Sequence, residues 1–205
     1  MTDAPAARRP IAMPILLIVT GLLGWYASFA LTVDKILVLQ NPQADLDCNI
    51  SLLVQCGTNL QSWQGSVFGF PNPLIGLGGF VAPIAVGVAM LAGATFARWF
   101  WIAFAVGVAG AFGFTIWLQV QSFYFLGTLC PWCMLVWAVT IPLFWTVWLH
   151  LLKSGIIPLP AGARRFFGKA YGFIPLITVL NYIEVALNAQ IGLDWIGVLA
   201  TTGSL

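Results

Sequence analysis

Five apolar runs separated by short polar stretches fill most of the chain, at residues 11–33, 67–96, 99–120, 130–152 and 171–191. Each is close to the roughly 20 residues that one helix needs to cross a hydrocarbon core, where a helix satisfies its own backbone groups without water. Pro71, Asn72 and Pro73 interrupt the start of the second run. Its regular helix is therefore expected from about Pro73, since proline suits a first helical turn, and the segment before it reads as re-entrant or interfacial. Trp25, Trp63, Trp99, Trp101, Trp117, Tyr124, Trp148, Tyr171 and Trp195 fall near the run ends, as rings suited to headgroup level do. The pattern predicts an all-α polytopic membrane protein.

Composition and charge narrow this reading. Of 205 residues, 60% are hydrophobic and only 7% charged, against about 25% charged in soluble domains. A formal net charge of +2 leaves no basic face for nucleic acid and no acidic tail. With alternating crossings and an inside N-terminus, Arg8, Arg9, Arg98, Lys153, Arg164, Arg165 and Lys169 face the cytoplasm and only Lys35 faces out, so seven of the eight basic residues obey the positive-inside rule. The expected organisation is a cytoplasmic tail (1–10), a four-helix core (11–152) with an outer loop (34–66), a cytoplasmic linker (153–170), a fifth transmembrane helix (171–191) and an outer tail (192–205). The first run is too long for a signal-peptide core and is read as retained.

All four cysteines fall on the outer side of this topology, where disulfides persist. Cys48 and Cys56 lie in the outer loop with seven residues between them, and Cys130-Pro131-Trp132-Cys133 opens the fourth apolar run. Cysteines in membrane helices are commonly small packing residues. At a helix start, however, a spacing of three puts both sulfurs on one face, and the N-terminal dipole favours a thiolate at Cys130. Zinc is the competing use of four thiolates. The seven-residue gap is wider than the two to four residues usual in such sites, and the only histidine, His150, lies at the other membrane face. A static Cys48–Cys56 bridge remains a further alternative. One pair on a loop and one at a helix start suits a relay in which successive thiolate attacks carry electrons inward. No haem, flavin or dinucleotide motif is present, so a quinone between the helices is the natural acceptor. Gly76, Gly78, Gly79, Gly107, Gly110 and Gly113 would permit close helix approach around it.

Cys48-x7-Cys56, Ser62, Asn72-Pro73-Leu74-Ile75-Gly76, Leu118-Gln119 and Thr128-Leu129-Cys130-Pro131-Trp132-Cys133 together resemble the vitamin K epoxide reductase (VKOR) family, in its bacterial form, from about Ile11 to Leu152. The resemblance implies a four-helix bundle around a quinone of menaquinone, ubiquinone or vitamin K type. It further implies that Cys48 and Cys56 are a shuttle pair, that Cys56 forms a transient disulfide with Cys130, and that Cys133 is the thiolate beside the quinone. Asn72 matches an asparagine whose amide bonds a quinone carbonyl, its alternative role being a turn residue before Pro73, and Ser62 matches a loop hydroxyl that shapes the site. Trp137 stands where vertebrate members carry a substrate-contacting tyrosine. An indole N–H can donate one hydrogen bond, which leaves quinone reduction intact and makes epoxide reduction doubtful.

Many bacterial relatives continue into a thioredoxin-like domain after a fifth helix. This sequence stops at Leu205, so a separate exported thioredoxin-fold oxidant is the expected partner. The implied protein is an inner-membrane, multi-pass thiol oxidase that moves electrons from that partner through Cys48/Cys56 and Cys130/Cys133 to quinone. A vitamin K quinone or epoxide reductase, and a non-catalytic scaffold with structural disulfides or a metal, are the alternatives. Asn181, Glu184 and Asn188 recur at helical spacing in the last run. An intramembrane carboxylate is costly enough to be expected buried or functional, and helix packing or partner assembly is the favoured role.

Overall fold

A computed structural model describes residues 11–51 and 53–202; Arg8, Arg9 and the rest of the 1–10 tail lie outside the described residues, as do residues 203–205. The chain forms α1 (Ala12–Gln40), α2 (Gly57–Gln61), a 3-10 turn (Trp63–Ser66), α3 (Pro73–Gly79) and α4 (Val81–Leu91). It continues through α5 (Arg98–Gln121), a π-helical turn (Ser122–Leu126), α6 (Pro131–Lys153), α7 (Ala161–Gly172), α8 (Ile174–Leu193) and α9 (Trp195–Thr202). Five segments are long and apolar enough to cross a membrane: α1, α3 with α4, α5 with its π turn, α6 and α8. The protein is an all-α multi-pass membrane protein.

The first four spans make a bundle in which α1 packs against α3, α4 and α6, and α5 closes on α6. Helices in lipid gain little from apolar burial between them, so backbone approach and van der Waals contact hold such a bundle. Close approaches join α1 to α4. A Cβ on Gly87 would stand 2.7 Å from both the Pro14 carbonyl and Ile18, and one on Gly21 would stand 2.6 Å from Ile84. Of the glycines expected to permit close packing, only Gly76 meets a neighbour, Ser28, whereas a Cβ on Gly78, Gly79, Gly107, Gly110 or Gly113 would enter open space. Leu17, Val86, Trp101, Val139, Val147 and Leu151 fill the bundle's other end.

One expected boundary moves, and two segments read as connections contain helices. Helix α1 continues past Asp34 and Lys35 to Gln40, so the loop begins seven residues later than residue 34. Lys35 marks the end of the apolar run, yet it is buried because its ammonium reaches the Leu60 carbonyl at 2.5 Å. The linker at 153–170 is largely helical, since α7 occupies Ala161–Gly172. It is amphipathic and buries no residue, and Lys153 secures it by placing Nζ 3.0 Å from the centre of the Tyr171 ring, a cation–π contact. The tail at 192–205 likewise contains α9. Trp101, in the first turn of α5, is buried against His150, with ring centres 4.8 Å apart. The Trp148 indole N–H bridges helices, donating to the Ala105 carbonyl at 3.1 Å.

The fifth span, α8, leans on α6 through polar contacts. Trp145 donates to Asn181 Oδ1 at 2.6 Å, and the Tyr182 hydroxyl donates to the Ala138 carbonyl at 2.5 Å. Glu184 is exposed rather than buried, and takes a hydrogen bond from the Asn181 amide at 3.2 Å. Asn188 accepts from the Tyr124 hydroxyl at 3.4 Å. Asn181, Tyr182 and Asn188 thus join α8 to the core, whereas the Glu184 contact stays within α8.

Candidate active site

The site is assembled where the π turn hands the chain to α6. Gly127 ends that turn at φ +67°, a left-handed conformation that glycine adopts without a Cβ clash. Ser122 Oγ then donates to the Thr128 carbonyl, and Pro131 occupies the first turn of α6 behind Cys130 as N-cap. The sulfur of Cys130 accepts from the backbone N–H of Cys133 at 3.4 Å.

The loop between α1 and α3 is registered onto this helix start by backbone pairing. Leu129 donates its N–H to the Leu53 carbonyl at 2.7 Å and accepts from the Gln55 N–H at 2.9 Å, forming a parallel bridge between Val54 and Leu129. Asn59 donates to Thr128 Oγ1 at 2.9 Å. On the loop side, Asn49 Oδ1 accepts from the N–H groups of Cys56 and Gly57 at 3.1 and 3.2 Å, satisfying donors that open the short helix α2.

Cys48 and Cys56 are joined as a disulfide, while Cys130 and Cys133 are free thiols. The Cys56 and Cys130 sulfurs are 3.2 Å apart, within reach for sulfur-on-sulfur attack. Both are fully buried, and Cys48 is 6% exposed. Leu31, Val38, Leu46 and Leu60 enclose them. The loop pair, expected to face an aqueous partner, is therefore shielded in this conformation, because Leu46 and the Leu129 bridge press the loop onto the bundle.

Cys133 borders a cavity of about 620 Å³ between the four core helices, within the size range of small-molecule sites. Ser62, Asn72 and Trp137 also line it, so the structure brings all three to one chamber with Cys133. Their polar atoms are partly engaged. The Asn72 amide donates to the Gln64 carbonyl at 2.6 Å, and its Oδ1 accepts from the Val67 N–H at 3.1 Å, which holds the turn from residue 64 to 72. Ser62 Oγ donates to the Asn59 carbonyl at 2.8 Å. The Trp137 ring stands perpendicular to Phe123, with centres 5.4 Å apart, and both are backed by Ala189 of α8. The fifth span thus supports the cavity wall, a contact that its distance in sequence concealed.

Gln64 and Gln121, which sequence reasoning passed over, also line the cavity. Gln64 donates to Gln121 Oε1 at 3.3 Å, and its own Oε1 is buried with no partner among the described residues. Buried acceptors are normally satisfied, so a ligand bearing a donor fits there. The apolar walls and the unpartnered Gln64 Oε1 suit an apolar ring bearing a hydroxyl that can donate to that oxygen. The signal available in the sequence was glutamine inside or beside otherwise apolar runs.

The chain matches the Vitamin K epoxide reductase family over residues 15–148. That span contains all four cysteines and most of every helix of the bundle. The protein belongs to the VKOR family. Membership makes it a membrane oxidoreductase of a family that couples thiols to quinones, and α8 lies outside the matched residues. Among curated proteins none matches the chain.

Proposed function

We propose that this VKOR-family protein is a quinone-dependent thiol oxidase that reoxidises a separate, exported thioredoxin-fold protein at the outer face of the cytoplasmic membrane. The observation that carries the reading is the 3.2 Å separation of Cys56 and Cys130 beside a cavity bordered by Cys133. The charge sorting supports the orientation, because Arg98, Lys153, Arg164, Arg165 and Lys169 all belong to the end of the bundle opposite the cysteines.

In this reading the partner's dithiol reduces Cys48–Cys56, leaving two thiols and an oxidised partner. Cys56 thiolate attacks Cys130 of an oxidised Cys130–Cys133 pair, so that the Cys56–Cys130 bond forms and Cys133 leaves as thiolate. Cys48 then attacks Cys56, restoring Cys48–Cys56 and releasing Cys130. The arrangement with the loop pair oxidised and the α6 pair reduced is the one expected at the end of that sequence. A quinone bound in the cavity accepts two electrons and two protons as Cys130 and Cys133 return to the disulfide. The protein's own contribution is to hold Cys133 at the cavity wall, keep water from the sulfurs and present amides to the ring oxygens.

Differential alkylation of the four cysteines tests this reading. Fully reduced protein in membranes should lose all four alkylatable thiols after addition of ubiquinone-1 or a short-chain menaquinone, and regain them with a reduced thioredoxin-fold donor. Cysteines that keep one state throughout would identify static bridges and reject the oxidase. Turnover of vitamin K epoxide would instead favour the reductase reading.

A further inference from the structure

The exchange just described needs a proton acceptor beside Cys48. A thiol is a poor nucleophile until it is ionised, and Cys48 is buried away from bulk water. The extension of α1 beyond the apolar run supplies a carboxyl group at this point. Asp34 Oδ2 lies 3.4 Å from Cys48 Sγ, and the Asp34 carboxylate and the Cys48 and Cys56 sulfurs all fall within 4.8 Å of one another. Among the described residues no cation is paired with this carboxylate, since the adjacent Lys35 is directed to the Leu60 carbonyl. Asp47 on the loop is the other charged group acting on it.

We propose that Asp34 is the general base for Cys48 in the step that resolves the Cys56–Cys130 disulfide. The inference rests on the oxidase reading. The Cys48 thiol gives its proton to the Asp34 carboxylate as its sulfur attacks Cys56. The Cys48–Cys56 bond forms, and the Cys56–Cys130 bond breaks with its electron pair remaining on Cys130. The exchange is redox-neutral, with one disulfide replacing another, and Asp34 afterwards returns the proton to water at the cysteine end of the bundle. In the reverse direction the protonated carboxyl serves the departing Cys48 thiolate as acid.

The test is a single turnover of the fully reduced, full-length protein in membranes, started with excess ubiquinone-1, quenched in acid and read by alkylation and mass spectrometry. In Asp34→Asn, oxidation of Cys130 and Cys133 should proceed at the wild-type rate. Closure of Cys48–Cys56 should slow by about 100-fold, in the range of general-base contributions, with Cys56–Cys130 accumulating. The deficit should shrink as pH rises towards ionisation of the Cys48 thiol itself, and Asp34→Glu should restore most of the closure rate. Unchanged closure in Asp34→Asn, or a slowing equal at every pH, overturns the role of Asp34. If Asp34→Asn does not accumulate as folded protein, the wild-type pH profile decides. A closure rate that rises only with thiol ionisation, near an ordinary cysteine pKa of about 8.5, rejects the base, and an inflection in the carboxyl range supports it. Wild-type cysteines that never respond to quinone reject the oxidase reading itself, and the inference falls with it.

Discussion

Leu129 is held on both its backbone groups by the loop that carries Cys56, through the Leu53 carbonyl and the Gln55 N–H. The next residue is Cys130, so this pairing aligns the two sulfurs before any chemistry occurs. Gln55→Pro removes one donor from the pairing. It should leave the Cys48–Cys56 disulfide able to form while slowing its exchange with Cys130 and Cys133 by at least about tenfold, since displacement by a fraction of an ångström is costly for positioned reactants. Quenched-flow alkylation after quinone addition reads both quantities.

Cys133 borders the cavity, where the proposed relay passes from thiol to quinone. Cys133→Ala should abolish quinone reduction, and a Cys48–Cys56 bridge once opened by a reduced donor should not be restored by quinone, because Cys130 then lacks its partner on α6. Non-reducing peptide mapping detects the bridge, and normal quinone reduction by this variant would contradict the relay.

The open face of Gly107 offers a way to fill the chamber without touching a sulfur. Nothing lies within 4 Å of a Cβ built there, and the residue lines the cavity. Gly107→Leu should raise the KM for ubiquinone-1 by roughly tenfold or more, as steric exclusion from a preformed pocket would, while exchange between the loop pair and the α6 pair in the absence of quinone stays unchanged.

The bond from Trp145 to Asn181, 2.6 Å long, joins the core to the fifth span. Hydrogen bonds between membrane helices contribute about 0.6 kcal/mol on average and up to about 1.7. Asn181→Leu should therefore lower thermal stability in detergent by a few degrees and loosen α8. A shift in Trp137 fluorescence, read in a variant with few other tryptophans, would report transmission of that change to the cavity wall.

The five spans were legible in the sequence because membrane burial leaves a continuous apolar signal that needs no tertiary information. Their ends were not. Asp34 and Lys35 look like an exit into water, yet Lys35 is sheltered once Leu60 folds over it, a contact across 25 residues. The linker helix α7 was hidden by its composition, since a short amphipathic helix rich in Arg and Gly resembles a polar connection. In the site, the chemistry of Cys130-Pro131-Trp132-Cys133 was readable because helix geometry acts over three residues. The bridge through Leu129, the amides of Gln64 and Gln121 and the carboxyl of Asp34 depend on segments brought together by folding, and no local spacing encodes them.

The enclosure of the sulfurs has a consequence for selectivity. Cys56 and Cys130 have no exposed surface and Cys48 has almost none, so a small thiol in the surrounding water meets no sulfur of the loop pair while the loop is seated. On the proposed oxidase reading, a donor protein has to lift residues 41–51 as it docks to reach the pair. Under that proposal the loop acts as electrical insulation, which keeps the quinone pool from being drained by stray reductants and reserves the path for a donor with the right shape.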